Sequence, residues 1–208
     1  MKNIVDRFYF EVPSIGRKEE ALDYLREHEK YGSAINGTGS MDRCLKGMSY
    51  EEWLEELERR KDREYLEKIG RCFSKTFFLI RESDNRIVGM INVRYNLSEK
   101  RLAEGSTHIG YGIRPSERSK GYNKINLYLG LLEEQKLGEK KLILDCTVDN
   151  VASNKTILAL GGKLIKTELD SYDNTMTNFY VIDTDKSIEN YSSLYKKFIL
   201  PTKSHNKI

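Results

Sequence analysis

A basic, glycine-containing loop holds the residues of this sequence most suited to chemistry. Arg118, Lys120 and Gly121 follow an apolar run that ends at Pro115 and precede a segment with helical periodicity, all within Thr107–Leu132. The first N–H groups of a helix lack partners, and the helix dipole adds partial positive charge there. A strand, a basic loop and a helix in this order therefore predict a site for a phosphorylated ligand.

Length and composition narrow the class of protein. A chain of 208 residues with 38% hydrophobic content suits one globular domain. The net charge of +3 comes from mixed acidic and basic residues, which argues against a nucleic-acid partner. No apolar run resembles a signal peptide or spans a bilayer, so we expect a cytoplasmic protein without a membrane partner. The cysteines and histidines are scattered, which predicts reduced thiols and no metal site.

Hydrophobic periodicity predicts the elements that position this loop. Helical spacing is found in residues 14–70, and residues 49–68 are predicted to form one helix with Trp53, Leu54 and Leu57 on one side. Ser49 and Glu52 predict a capping box at its start. Strand-like runs then alternate with helical segments, and glycines inside the strand before the loop suggest a bulge or a close ligand. The order predicts an α+β fold with a mixed, mostly antiparallel central sheet flanked by helices. The predicted units are a single domain (1–183) with a helical region (14–70) and a ligand-binding core (75–183), then a C-terminal helix and tail (184–208).

Two spaced motifs resemble those of the GNAT superfamily of acetyl-CoA-dependent N-acetyltransferases. The first is the loop Arg118-Ser-Lys-Gly121-Tyr-Asn123, which follows a glycine-containing strand and precedes a helix. The second is Asn150-Val-Ala-Ser153, followed by a helix and Gly161-Gly162. The resemblance covers about residues 75–183. Surrounding phrases, such as the one from His108 to Arg118, look like a bacterial subgroup of predicted acetyltransferases with no settled substrate.

The resemblance implies a GNAT fold and a way of binding acetyl-CoA or coenzyme A as co-substrate, with no metal. The loop would hold the pyrophosphate, and the pantetheine arm would pair with the main chain of the preceding strand. Asn150 would bind the arm, although an asparagine there is equally suited to capping a helix. The implied binding residues are Tyr111, Ile113, Arg114, Arg118, Ser119, Lys120, Gly121, Tyr122, Asn123, Asn150 and Ser153.

The chain departs from the family pattern at two positions, which affects the predicted chemistry. Asn123 stands where the loop usually ends in Gly or Ala. Ile157 stands where the family often has a tyrosine that protonates the departing thiolate, so either the thiolate leaves unaided or a water or Ser153 assists it. His108 is the predicted general base, because imidazole titrates near neutral pH; a surface histidine at a strand end is the alternative. Asp145 is a weaker candidate.

The predicted reaction is direct transfer of an acetyl group from acetyl-CoA to a primary amine in a ternary complex. The amine would be a small molecule or a peptide, and the glycine-rich loop 36–40 is the first candidate for recognising it. Two alternatives stay open: a non-catalytic acyl-CoA-binding or sensor protein, motivated by Ile157, and a nucleotide-binding module of another family. Edge strands of such domains often pair, which leaves a homodimer open.

Overall fold

The computed structural model describes residues 4–170 and 174–203, and the elements follow the predicted α+β order. The strands are β1 (Phe8–Glu11), β2 (Phe73–Arg81), β3 (Arg86–Tyr95), β4 (Ile109–Ile113), β5 (Lys141–Thr147), β6 (Lys163–Leu169) and β7 (Met176–Asp183). The helices are α1 (Lys18–Lys30), α2 (Tyr50–Arg59), α3 (Arg63–Lys68), α4 (Glu99–Ala103), α5 (Tyr122–Lys136), α6 (Val151–Ala159) and α7 (Thr184–Tyr195).

The strands form two antiparallel sheets. The first has the order β1-β2-β3-β4 and the second the order β5-β7-β6. They meet at one place, where the backbone N–H of His108 donates to the Ile143 carbonyl at 2.8 Å. The His108 Nδ1 accepts the Ile143 N–H at 3.0 Å. Beyond this link β4 and β5 belong to separate sheets, so a gap opens between them toward Ile113.

Apolar side chains pack on both faces of the four-stranded sheet. One face carries Phe10, Leu79 and Ile91 against α5 and the second sheet. The opposite face carries Phe78, Ile80 and Met90 against the N-terminal helices, with Trp53 fully buried between them. Each fully buried side chain of this size contributes about 1.5–3 kcal/mol relative to an exposed one. Packing on both faces keeps the sheet rigid, and loops project from it.

The helical region differs from the sequence prediction in detail. The predicted helix over residues 49–68 is two helices, α2 and α3, because the chain turns at Arg60–Asp62 and the Asp62 side chain caps α3 by accepting the Tyr65 N–H at 2.8 Å. Ser49 and Glu52 form the predicted capping box. The short helix α4 was not predicted, since five residues carry too little periodicity to be detected.

The C-terminal segment continues past α7 and covers the outer edge of the first sheet. Leu200 N–H donates to the Phe8 carbonyl at 2.8 Å and Lys203 N–H to the Phe10 carbonyl at 2.7 Å. The main chain of residues 199–203 thereby occupies hydrogen-bonding groups that an edge strand leaves exposed.

Candidate functional site

A cavity of about 500 Å³ lies where β4, α5 and α6 meet. It takes in most of the predicted binding residues, together with residues of the loop that follows α1. The predicted residues that line it are Tyr111, Ile113, Arg118, Ser119, Gly121, Tyr122, Asn123, Asn150 and Ser153. Two segments separated by some thirty residues in sequence are therefore brought to one site, as the two motifs predicted.

The N-terminus of α5 opens into this cavity without a side-chain cap. Gly121 precedes the helix with φ +88°, and its absent side chain leaves the first turn uncovered. Ser119, two residues earlier, also has positive φ, so the loop folds tightly against the helix start. Uncapped N–H groups and the positive end of a helix of 15 residues make an anion-binding geometry.

Arg118 adds a positive charge to the cavity that no carboxylate of the described residues neutralises. Its Nη2 donates to the Ser33 Oγ at 2.5 Å and its Nε to the Ile113 carbonyl at 3.2 Å. The guanidinium thus joins the loop after α1 to the end of β4. Its partners are neutral oxygens, so its charge is available to an anion in the cavity.

Lys120 is held differently, in a group of charges beside the cavity. Its Nζ lies 2.7 Å from a Glu117 carboxylate oxygen that Arg81 also contacts at 2.7 Å. Burial tends to raise the pKa of Glu117, but the bonds from Arg81 and Lys120 outweigh it and hold that pKa below its usual value. Lys120 is not among the residues that line the cavity. Its charge is already compensated there.

The structure does not bring the Arg114 side chain to the cavity either. The side chain is fully buried on the α1 side of the sheet, where its guanidinium contacts Asp23 at 2.7 Å and Glu27 at 2.8 Å. Its Nε donates to the Ile87 carbonyl at 2.9 Å. These bonds fasten the end of β4 to α1, a contact between distant segments that the sequence pattern cannot show.

Tyr111 and the start of α6 face each other across the inner end of the cavity. The Tyr111 hydroxyl lies 2.6 Å from the Ser153 Oγ. Burial raises the pKa of Tyr111 well above its ordinary value, so the phenol keeps its proton at neutral pH. Asn150 caps α6, since its Oδ1 accepts the Ser153 N–H at 3.0 Å. Both groups that the second motif supplies therefore lie on the cavity wall.

His108, the predicted base, and Ile157, at the position of the usual acid, do not line this cavity. Ile157 is fully buried in the apolar core. His108 is 3% exposed, does not line the cavity, and uses its Nδ1 to accept the Ile143 N–H. Its Nε2 is 3.8 Å from a Glu139 carboxylate oxygen, and burial lowers the pKa of the ring. In the neutral ring the lone pair that a base needs is engaged in linking the two sheets.

Several lining residues were not predicted to bind the coenzyme. Asn36 belongs to the glycine-rich loop 36–40, which was predicted for recognition of the amine. Thr156 lies one helical turn beyond Ser153, and this spacing could have revealed it, since residues three apart share a helix face. Ser33 and Ala34 carry no such signal, because their position depends on where α1 packs.

The structure is an α+β fold with a cavity that has an anion-binding geometry at the N-terminus of α5. A family model for the acetyltransferase (GNAT) family matches residues 43–161. The chain therefore belongs to the GNAT family and is an acyltransferase, as the two motifs predicted.

Solved structures of GNAT proteins share this fold at low sequence identity. RimL, a ribosomal L7/L12 alpha-N-protein acetyltransferase in complex with coenzyme A, is 15% identical, with a TM-score of 0.60 over 85% of this chain and 94% of that chain. A ribosomal-protein-S5-alanine acetyltransferase from Vibrio fischeri is 14% identical, with a TM-score of 0.63 over 88% and 96%. Mutant forms of the spermidine/spermine N-acetyltransferase SpeG from Vibrio cholerae are 13% identical, with a TM-score of 0.58 over 88% and 98%. No curated protein matches the sequence of this chain.

None of the helices in the described ranges is both long and apolar enough to cross a bilayer.

Proposed function

We propose that this chain transfers the acetyl group of acetyl-CoA to a primary amine by direct attack in a ternary complex. The uncapped N-terminus of α5, with Arg118 beside it in a 500 Å³ cavity, is the observation that carries the proposal. Family membership makes acetyl-CoA the natural ligand for this anion-binding geometry. Solved neighbours contain the same ligand class, such as RimL with coenzyme A.

In this proposal different residues of the cavity bind different parts of coenzyme A. The N–H groups from Arg118 to Asn123 would hold the pyrophosphate, and the Arg118 guanidinium would add a charge-assisted bond. The arm would run along Tyr111–Ile113 in the gap between β4 and β5. Asn150, whose Oδ1 is used in capping, would offer its amide nitrogen. Arg114 and Lys120 would act indirectly, by fixing β4 and the loop.

The chemistry requires a neutral amine and a departing thiolate. The amine nitrogen attacks the thioester carbonyl carbon, a C–N bond forms, and the C–S bond breaks with its electron pair on sulfur. An alkylamine has a pKa of about 10.4, so its neutral form at pH 7 costs roughly 4–5 kcal/mol. The proton lost by the amine goes to solvent or a base, while the thiolate takes one from a donor.

Tyr111 is the proposed donor to the thiolate, with Ser153 as its hydrogen-bonded partner. Tyr111 lines the cavity, and burial keeps its phenol protonated. Ile157, at the position where the family often has its tyrosine, cannot donate. His108 stays a hypothesis for the base, and it could act only if its bond from Ile143 were broken, which would free the lone pair of Nδ1.

A non-catalytic acyl-CoA sensor is the alternative, because Ile157 removes the usual acid. Thiol release from acetyl-CoA across a panel of amines and peptides separates the two, since a sensor binds acetyl-CoA without turnover on any of them.

Ligand binding is tested by thermal melting with acetyl-CoA, ATP or NAD. Stabilisation by acetyl-CoA should exceed that by either nucleotide. Gly121→Val should abolish it, since valine strains a backbone with φ +88° and its Cβ would lie 3.3 Å from the Ile4 Cδ1, which would shift the loop. Gly138→Val is the matched control, because Gly138 has φ +86° and open space around it at the far end of α5. Equal stabilisation by ATP, or retained affinity in Gly121→Val, would show that the cavity is misassigned.

A further inference from the structure

A second cavity, of about 310 Å³, lies on the face of the first sheet that carries the N-terminal helices. We call it the arginine cavity, because four arginines line it together with the glycine-rich loop 35–40. These are Arg60, Arg71, Arg94 and Arg101. Asp42 is the one acidic residue on its described wall. The cavity therefore has a strong excess of positive charge.

Three of these arginines have no carboxylate partner among the described residues. Arg94 Nη1 donates to the Thr107 carbonyl at 2.7 Å. Arg71 Nη1 donates to the Ser40 Oγ at 2.9 Å, and Arg101 bonds the Gly70 and Arg71 carbonyls at 3.2 Å. Only Arg60 is neutralised, by its ion pair with Glu56.

The positive charge of Arg94 is not balanced by an ion pair with any carboxylate of the described residues. The carboxyls that act on its charge give it no ion pair: Asp145 accepts the Thr107 hydroxyl at 2.7 Å, and Glu134 keeps its proton at neutral pH because burial raises its pKa to about 9. Burial lowers the pKa of Arg94, the response of a cation that lacks a compensating charge. A partly buried guanidinium without a counter-charge is costly, and a bound anion would reduce that cost.

The arginine cavity adjoins the proposed site of acetyl transfer. A Cβ at Gly110 of β4 would lie 3.1 Å from the Arg94 Nη2, so the guanidinium rests directly over the strand. Gly37 of the loop packs on the main chain of Tyr111. Asn36, the preceding residue, lines both cavities. The loop is thus the common wall between the coenzyme cavity and the arginine cavity.

We propose that the arginine cavity binds a carboxylate or phosphate group carried by the amine acceptor, so that the substrates of this enzyme are anionic amines. The inference rests on the proposed function. The planar guanidinium of arginine can donate two parallel hydrogen bonds to the oxygens of a carboxylate or phosphate group. Three uncompensated guanidinium groups repel a polycation, so polyamines are disfavoured as acceptors. The volume, at the low end for small-ligand sites, suits a compound of amino-acid size or the end of a peptide.

Matched acceptor pairs test the substrate class. Thiol release is measured with β-alanine against β-alaninamide, and with phosphoethanolamine against ethanolamine. The dipeptides Ala-Glu and Ala-Gln separate a peptide source of the anion from a free small molecule, and spermidine supplies a polycation. The anionic member of at least one pair should have a kcat/KM about tenfold or more above its neutral partner. Equal values within every pair, or a preference for spermidine, would overturn the inference and leave the acetyltransferase proposal standing.

Substitutions in the arginine cavity test whether it is the cause of the higher kcat/KM of anionic acceptors. Arg94→Gln should raise KM for the anionic acceptor roughly tenfold or more, with the acetyl-CoA melting shift unchanged. Arg71→Gln and Arg101→Gln should act in the same direction. Arg26→Gln is the matched control, since Arg26 is exposed on α1 and lines neither cavity. If Arg94→Gln kept the full advantage, the anion would bind elsewhere.

A binding measurement separates this inference from the reaction. Inorganic phosphate is titrated into protein saturated with coenzyme A, which fills the α5 cradle, and the melting temperature is followed. Wild type should be stabilised and Arg94→Gln should not. Should no amine be acetylated while this difference holds, the transferase proposal falls and the anion site stands. Equal phosphate stabilisation in both proteins would remove the anion site.

Discussion

The Tyr111 hydroxyl and the Ser153 Oγ lie 2.6 Å apart, and this contact joins the strand β4 to the first turn of α6 across the proposed coenzyme cavity. Tyr111 belongs to the strand that precedes the first motif of the sequence, and Ser153 belongs to the second motif. Ser153 is fixed in turn by its N–H bond to Asn150. A protonated phenol on a rigid wall beside the expected thioester is placed to supply a proton.

Tyr111→Phe tests this role. The substitution removes one oxygen and keeps the ring, so we expect acetyl-CoA affinity within about twofold of wild type. The rate of thiol release should fall by roughly 10²-fold, the lower end of what general acid catalysis contributes. Ser153→Ala should have a smaller effect, because it leaves the phenol in place.

The control for that loss of rate is Tyr128→Phe, which removes a hydroxyl from a buried tyrosine of α5 that does not line the cavity. Its turnover should match wild type. A Tyr111→Phe protein with a normal rate would exclude the phenol as donor and point to solvent.

His108 gives a prediction that separates a structural from a catalytic role. His108→Ala leaves the Ile143 N–H without its acceptor, which should cost about 1–3 kcal/mol of unfolding free energy. His108→Asn can place an oxygen near the same N–H and should recover part of the stability. Denaturant unfolding measures both. If His108 is the base, His108→Asn should stay slow and lose the acid limb of its pH profile; if the residue only links the sheets, rate should recover with stability.

Glu134 gives a prediction for pH. This carboxyl is fully buried on α5, neither oxygen has a hydrogen-bond partner among the described residues, and burial, with Glu139 nearby, raises its pKa to about 9. Between pH 7 and 9 the folded protein holds this proton and the unfolded chain does not. Stability therefore falls as pH rises, by about 1.4 kcal/mol per unit.

Glu134→Gln has no proton to lose at this position, so its melting temperature should fall less steeply from pH 7 to 9 than that of wild type. Cysteine thiols also titrate in this window, and burial raises the pKa of Cys44 and of Cys146, so the difference in slope between the two proteins measures the Glu134 carboxyl. A wild-type melting temperature that stayed constant over this range would show that the carboxyl is ionised in the folded protein.

The family, the element order and the glycine-containing turn before α5 could be predicted from the sequence because each depends on local signals. The uncapped helix start after Gly121 and the cap at Asn150 are set by neighbouring residues. The anchoring of Arg114 by Asp23 and Glu27 could not be predicted, since those partners are some ninety residues away. The Nδ1 bond of His108 depends likewise on how β4 meets β5. Side-chain direction at these positions is decided by tertiary packing.

Tertiary packing also decides how the glycine-rich loop 36–40 contacts β4. Gly37 has φ +73°, and a Cβ there would lie 2.5 Å from the Tyr111 Cα and 2.6 Å from the Gly110 carbonyl oxygen. Because the backbone of β4 is held by its pairing with β3, Gly37→Ala should push the loop off β4 and raise KM for the amine more than for acetyl-CoA. Gly32→Ala is the matched control, since Gly32 has φ +56° with nothing within 4 Å. Both variants carry the strain of a left-handed alanine, about 1–2 kcal/mol. Steady-state kinetics and denaturant unfolding of both variants are compared, and the difference between them measures the contact of Gly37 with β4. Equal KM values and equal unfolding free energies would show that this contact does not affect turnover.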